Sequence, residues 1–282
     1  MCISMAKADF RGTKICINAT RMPNEGIVHV LMYQNEVANL GVGPNAMLLH
    51  IPAEGIGQRN FIDTRKFSSI MDDMVTAVTP RSRDSGAKSM GFSRVGGSRV
   101  QVFDVGIYTI ILAEKASDIP AALNRVPQGK RPKVNRELFA FYEQAFPGYA
   151  VALCCFNNQR SVKAEPIMVW YKPLKNTDGM YRFPAIDCHT GGVPDLTADV
   201  EVDHWLFLAA DGMRGGSHVT YSEAAAIKPE VHQLLPKRVY GAYFRGPRRN
   251  GDFGVRQPED LSSFGSNDAV LRLPPPGFRV AA

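Results

Sequence analysis

Tyr149-Ala150-Val151-Ala152-Leu153-Cys154-Cys155-Phe156 is apolar without a break. The run has the length of a strand and offers no polar side chain to water, so it predicts a strand buried on both faces. The residues just before it read as a helix. Asn135 is a capping side chain, Leu138, Phe139, Tyr142 and Phe146 follow at helical spacing, and Pro147-Gly148 closes the turn.

Other segments alternate as strands do. Thr13 to Thr20 and Ile27 to Tyr33 flank the turn signal Asn24-Glu25-Gly26. A polar, glycine-containing connection then leads to Ala46 to Pro52, which predicts a long-looped hairpin with the Ile27 to Tyr33 run. Val100 to Ala113 is one strand, or two broken at Gly106, and Pro166 to Tyr171 is another. From Asp199 to Ala210, Val200, Val202, His204, Leu206 and Leu208 share one face, with Glu201, Asp203, Trp205 and Phe207 on the other. Helices are few and short. One is capped by Asp63 or Thr64 and ends at Pro80, one starts at Ser117-Asp118-Ile119-Pro120, and Ser222 caps a short piece. Strands and helices do not alternate strictly. The predicted class is therefore α+β, a mostly antiparallel or mixed β-sheet with a few short helices and an extended Pro/Gly/Arg-rich C-terminal tail.

A basic linker from Gln128 to Lys133 sets a soft boundary. It divides the chain into residues 1–127, an N-terminal α+β half, and 128–242, a C-terminal half carrying Asp187 to His204. Residues 243–282 form the tail, and the two halves can equally make one domain. At 282 residues the chain can bury a full core without disulfide or metal.

No window approaches the roughly 18 uninterrupted apolar residues of a membrane span. The N-terminal residues lack a basic segment followed by an apolar block, so a cytoplasmic, soluble protein is expected. Five cysteines, two of them adjacent and none in a CxxC pair, do not make a disulfide framework or a thiolate zinc knuckle. The formal net charge of +6 admits nucleic acid, phosphate or an acidic protein as partner.

The densest chemistry lies in Asp187-Cys188-His189 and, further on, Asp203-His204. If the first stretch is extended, Asp187 and His189 point the same way and can reach one divalent metal ion. His204 would be the third ligand and Asp203 its support, leaving one position for water. The plainer expectation is that Asp187 and Thr190 make turn hydrogen bonds beside Gly191-Gly192, with His204 a core histidine. Cys188 is a candidate catalytic thiol, although its strand neighbours point away from it and His204 or His218 would have to approach through the fold.

Two basic groups, Arg81, Arg83, Arg94 and Arg99 in a Gly/Ser-rich surface loop and Arg245, Arg248 and Arg249 in the tail, are the candidate basic surface. Gly96-Gly97-Ser98 could cradle a phosphate through backbone N–H groups, but it lacks the P-loop and dinucleotide patterns. Tyr243 and Phe244 lie among the tail arginines, which suits stacking on bases or anchoring in a neighbour's groove.

Cys2 is a second candidate nucleophile. Removal of Met1 would leave an N-terminal cysteine whose α-amino group can act as base. With Arg21 standing for the arginine that follows, the start of the chain resembles the cysteine acylases among the N-terminal nucleophile hydrolases; Pro23 stands where that family has an acid. With no nucleotide fingerprint, nucleophile elbow or spaced ligand set, the leading expectation is a binding or assembly protein. Its extended tail would pack on a neighbouring subunit or another protein. A hydrolase, metal-assisted through Asp187, His189 and His204 or dependent on Cys2 or Cys188, stands second, and nucleic-acid or phosphate binding third.

Overall fold

The computed structural model describes residues 3–79, 100–175, 179–256, 264 and 269–278. Strand Ala150–Phe156 is buried at every position, as its sequence requires. It lies in the middle of a five-stranded antiparallel sheet, in the order Ile3–Ser4, Asn45–Ile51, Ala150–Phe156, Tyr108–Ala113, Val100–Val105. One face of this sheet meets a larger mixed sheet. Its main order is Ser217–His218, Arg238–Arg249, Asp199–Ala210, Ala8–Met22, Gly26–Asn39, Ile167–Pro173 and Ala53–Glu54. Every pairing there is antiparallel except Asp199–Ala210 with Ala8–Met22. A third sheet joins Met180–Phe183, Asp252–Arg256 and Leu271–Leu273. The class is α+β, dominated by antiparallel and mixed sheets.

Three buried clusters give four layers. Between the sheets, Ile15, Ile17, Leu31 and Tyr33 meet Met47, Leu49, Ile110, Ala152 and Cys154. On the outer face of the five-stranded sheet, Leu48, Ile111, Leu153 and Cys155 pack under Leu138, Phe139 and Tyr142 of helix Arg136–Ala145. On the outer face of the larger sheet, Cys16, Val30, Met32 and Phe207 are covered by Ile70, Met71 and Met74 of helix Ile70–Val78 and by Val231 of helix Pro229–His232. Cys154 and Cys155 thus look to opposite cores, as neighbours on a strand must. Both thiols are packing groups, and burial pushes Cys155 up to about 12, so it stays protonated at neutral pH.

The predicted hairpin between Ile27 to Tyr33 and Ala46 to Pro52 is not formed: the two runs belong to different sheets. Asn45 explains the crossing. Its Oδ1 accepts from Ala6 N at 2.9 Å and its Nδ2 donates to Ala6 O at 3.0 Å, which ties the second run to the N-terminal edge. The helix expected from Asp63 begins later, at Ile70. Thr64 Oγ1 donates instead to Pro166 O at 2.7 Å, and Asp63 pairs with Arg65. Ser222 likewise donates to Asp73 rather than capping a helix of its own. Asn135 does cap, accepting from Leu138 N at 3.0 Å.

Both sheets draw strands from either side of residue 128: Asp199–Ala210 lies between Arg238–Arg249 and Ala8–Met22, and Ala150–Phe156 between Asn45–Ile51 and Tyr108–Ala113. Among the described residues no helix is long and apolar enough to cross a membrane. Leu153→Ala should lower the unfolding free energy by about 2–5 kcal/mol in a denaturant titration, because a fully buried side chain leaves a cavity. Val134→Ala, at an exposed position, should stay within about 0.5 kcal/mol of wild type.

Candidate functional site

The segment holding Asp187, Cys188 and His189 is stitched to the N-terminal residues: Cys188 bridges Ile3, and a turn begins at His189. Ser4 N donates to Cys188 O at 3.0 Å, and Ala8 N donates to His189 O at 3.0 Å. Asn250 fixes the upstream end, accepting from Asp187 N and donating to Asp187 O, each at 2.9 Å. The two side chains meet, with Asp187 Oδ1 and His189 Nε2 at 2.8 Å. The alignment is not that of a hydrogen bond, so the contact is ionic in character only when the imidazole is charged. The His189 ring lies 5.0 Å from that of Phe10.

His204 does not join them. Its strand turns it inward, where it is fully buried beside Phe253 at 5.7 Å, and its Nδ1 accepts from Asp203 N at 3.1 Å. Asp203 serves the irregularity in strand Ala8–Met22, accepting from Gly12 N at 2.6 Å. Among the described residues no three His, Cys, Asp or Glu side chains are arranged to hold a metal ion. Of the three expected ligands, Asp187 and His189 lie together and His204 lies in the core.

Cys188 points to the opposite side, against the core under helix Arg136–Ala145. Its Sγ lies 3.3 Å from both Thr190 Oγ1 and Gly192 O, neither of which can take its proton as a base. Cys2 lies outside the described residues, as do Arg81, Arg83, Arg94 and Arg99. Of the second basic group, Arg245 and Arg249 are exposed, whereas Arg248 turns inward with its guanidinium over the Phe244 ring at 5.4 Å. Strand alternation thus splits that group between two faces.

The tail expectation also changes. Its described parts lie on the chain's own body: Leu271–Leu273 pairs with Asp252 to Gly254, and Arg182 Nη1 donates to Pro274 O at 3.1 Å. Beyond them, Gly277 N donates to Ala145 O at 2.9 Å and Phe278 stacks on Phe141 at 5.7 Å. The proline- and glycine-rich composition hid the strands Arg238–Arg249 and Asp252–Arg256, which anchor it.

Two polar groups in the interior had no visible pattern. His50 Nε2 meets Asp252 Oδ1 and Oδ2 at 3.0 and 2.9 Å, Ala185 N donates to Asp252 Oδ1 at 2.9 Å, and the imidazole stacks on Phe146 at 3.8 Å. Burial acts to raise the Asp252 carboxyl, but the His50 charge and hydrogen bonds outweigh it and hold it below its ordinary value. Arg272, over the Phe253 ring at 4.2 Å, is pushed down to about 10 by burial. The partners of the first pair are 202 residues apart, beyond any local signal.

A third feature is at the surface. Val42 is 97% exposed, Leu40 52%, Val134 48% and Val193 47%. These side chains sit on loops that hydrogen bonds hold together. Leu40 N donates to Lys7 O at 3.1 Å, Asn39 Nδ2 to Gly43 O at 2.7 Å, and Asn135 Nδ2 to Gly191 O at 2.6 Å. Gly191 has φ +85°, and a Cβ there would come within 2.7 Å of Met5 O, so only glycine lets the loop approach the N-terminal segment. Exposed Lys7, Lys133 and Arg136 stand around these loops.

No protein-family model and no curated protein matches the chain. Among solved structures it is similar to the crystal structure of baculovirus P35, at 15% identity over 73% of this chain and 67% of that one, with a TM-score of 0.37. A mutated baculovirus P35 after caspase cleavage is 12% identical over 70% of this chain and 65% of that one, with a TM-score of 0.39. At these scores neither structure bears on what this chain does.

The buried pair makes stability sensitive to acid. Because the folded-state value of Asp252 is depressed, its contribution is complete above the unfolded carboxylate value near about 3.9 and is lost as pH falls through the folded value. Asp252→Asn should cost about 3–5 kcal/mol at neutral pH and flatten the acid limb of a stability–pH profile measured by urea unfolding.

Proposed function

We propose that this chain is a binding protein whose contact surface is the loop end carrying Leu40, Val42, Val134 and Val193. Its partner is a protein that presents an apolar recess inside an acidic margin. The observation that carries the reading is the near-complete exposure of Val42 among three other exposed apolar side chains, on loops fixed by side-chain hydrogen bonds. Apolar side chains left exposed on linked loops suit an interaction surface, and contacts held rigid before binding lose less entropy on association. Lys7, Lys133 and Arg136 around the loops, together with the net charge of +6, favour an acidic margin on the partner. Because the described tail residues dock on their own body, the surface for a partner is sought here and not in the tail.

Val42→Asp and Leu40→Asp place a charge at the centre of the surface and touch no core residue. Both variants should melt at the wild-type temperature. With wild-type protein as bait in extracts of the expressing cells, the captured partner should be identified, purified and titrated against all three forms. Binding should weaken at least tenfold in each variant, about 1.4 kcal/mol or more. If partner affinity stays within twofold of wild type in both variants, the surface is wrongly assigned. Sedimentation of the chain alone covers the case of a second copy as partner: a dimer that Val42→Asp dissociates would contradict the acidic-margin partner, since the rim is basic.

A further inference from the structure

A cavity of about 450 Å³ opens where the ends of both main sheets meet the helix over the five-stranded one. Strand Ala53–Glu54, at the edge of the larger sheet, brings Glu54 to it. The bend after strand Tyr108–Ala113 brings Glu114 and Lys115, and helix Arg136–Ala145 brings Glu143. The rest of the lining is largely apolar. Tyr142, Phe146 and Tyr149 make one wall, with the Phe146 ring 5.3 Å from that of Tyr142 and 5.5 Å from that of Tyr149, and Leu174 adds to it. The volume falls within the roughly 300–1,000 Å³ of small-molecule sites.

The charges of the lining select the occupant. Three carboxylates stand against one ammonium, a negative balance in a chain whose formal net charge is +6. An anion is repelled by that balance and a cation is drawn to it. Glu143 is already in place, since its Oε1 accepts from Ser117 N at 2.9 Å and from Ser117 Oγ at 2.6 Å. The carboxylates come from three elements and do not converge: among the described residues no three His, Cys, Asp or Glu side chains are arranged to hold a metal ion. A point cation therefore finds no cage, whereas an extended cation can reach more than one of them.

We infer that this cavity binds an aliphatic diamine. Its two ammonium groups pair with separate carboxylates, and the methylene chain between them lies on the apolar wall. The cavity shares no residue with the loops of the proposed contact surface, so the inference stands apart from that reading.

The experiment is calorimetric titration of the full chain at low ionic strength with cadaverine, pentylamine and pentanediol, which have one carbon chain and two, one and no charges. Cadaverine should bind saturably, pentylamine about tenfold more weakly or less, and pentanediol not at all. Glu54→Gln and Glu114→Gln, at exposed positions, should melt with wild type and each weaken cadaverine about threefold or more. Lys115→Gln should tighten it. Glu137→Gln, on the same helix but outside the cavity, should leave it unchanged. The inference is overturned if cadaverine does not saturate, or if it binds no more tightly than pentylamine. It is equally overturned if affinity survives in both Glu54→Gln and Glu114→Gln, or if Glu137→Gln weakens binding as much as they do, which would mean attraction to the surface at large. Should one of the two cavity variants fail to fold, the other decides.

Discussion

Strand Ala150–Phe156 has no polar face, so it is stable only where protein covers it on both sides. Everything else in the layering follows from that demand. The larger sheet covers the face carrying Ala152 and Cys154, and helix Arg136–Ala145 covers the face carrying Leu153 and Cys155. The helix is held at its start by the Asn135 cap, and the same Asn135 side chain donates to Gly191 O. One residue therefore couples the cover of the central strand to the loop end proposed as the contact surface.

Closing four layers traps polar groups, and their partners explain how the third sheet is attached. His50 belongs to the five-stranded sheet and Asp252 to the three-stranded one, so their pairing is a polar clasp across a junction that is otherwise apolar. Asn250 holds the Asp187 segment from the same turn, through its side chain alone. Such groups need complete hydrogen bonding, because an unpaired buried charge is far more costly than an unpaired surface one. Asp252 meets that need within the protein, whereas the Nη groups of Arg272 find no acceptor among the described residues.

Much of the framework was legible in local patterns. The Asn135 cap, the alternation from Asp199 to Ala210 and the Asn24-Glu25-Gly26 turn each rest on chemistry confined to a few residues. The break at Gly106, with its φ of +53°, is of the same kind. What the pattern could not carry was pairing over distance. Ile27 to Tyr33 and Ala46 to Pro52 look like hairpin partners until the Asn45 side chain binds the N-terminal segment instead. At the candidate site, Asp187 and His189 meet across a turn that begins at His189, whereas the position of His204 depended on which face of its sheet was buried. His50, Asp252 and Arg272 carried no local signal at all, and Val42 stood out only once its loop was seen to leave the body.

The proposed contact surface comprises the loops at residues 40–44, 133–136 and 189–193. Amide hydrogen exchange on the complex with the captured partner tests it most directly. Slowed exchange confined to peptides covering those three loops, with the tail strand Leu271–Leu273 unchanged, is the expected result. Slowed exchange elsewhere, with the three loops as fast as in the free protein, would contradict it.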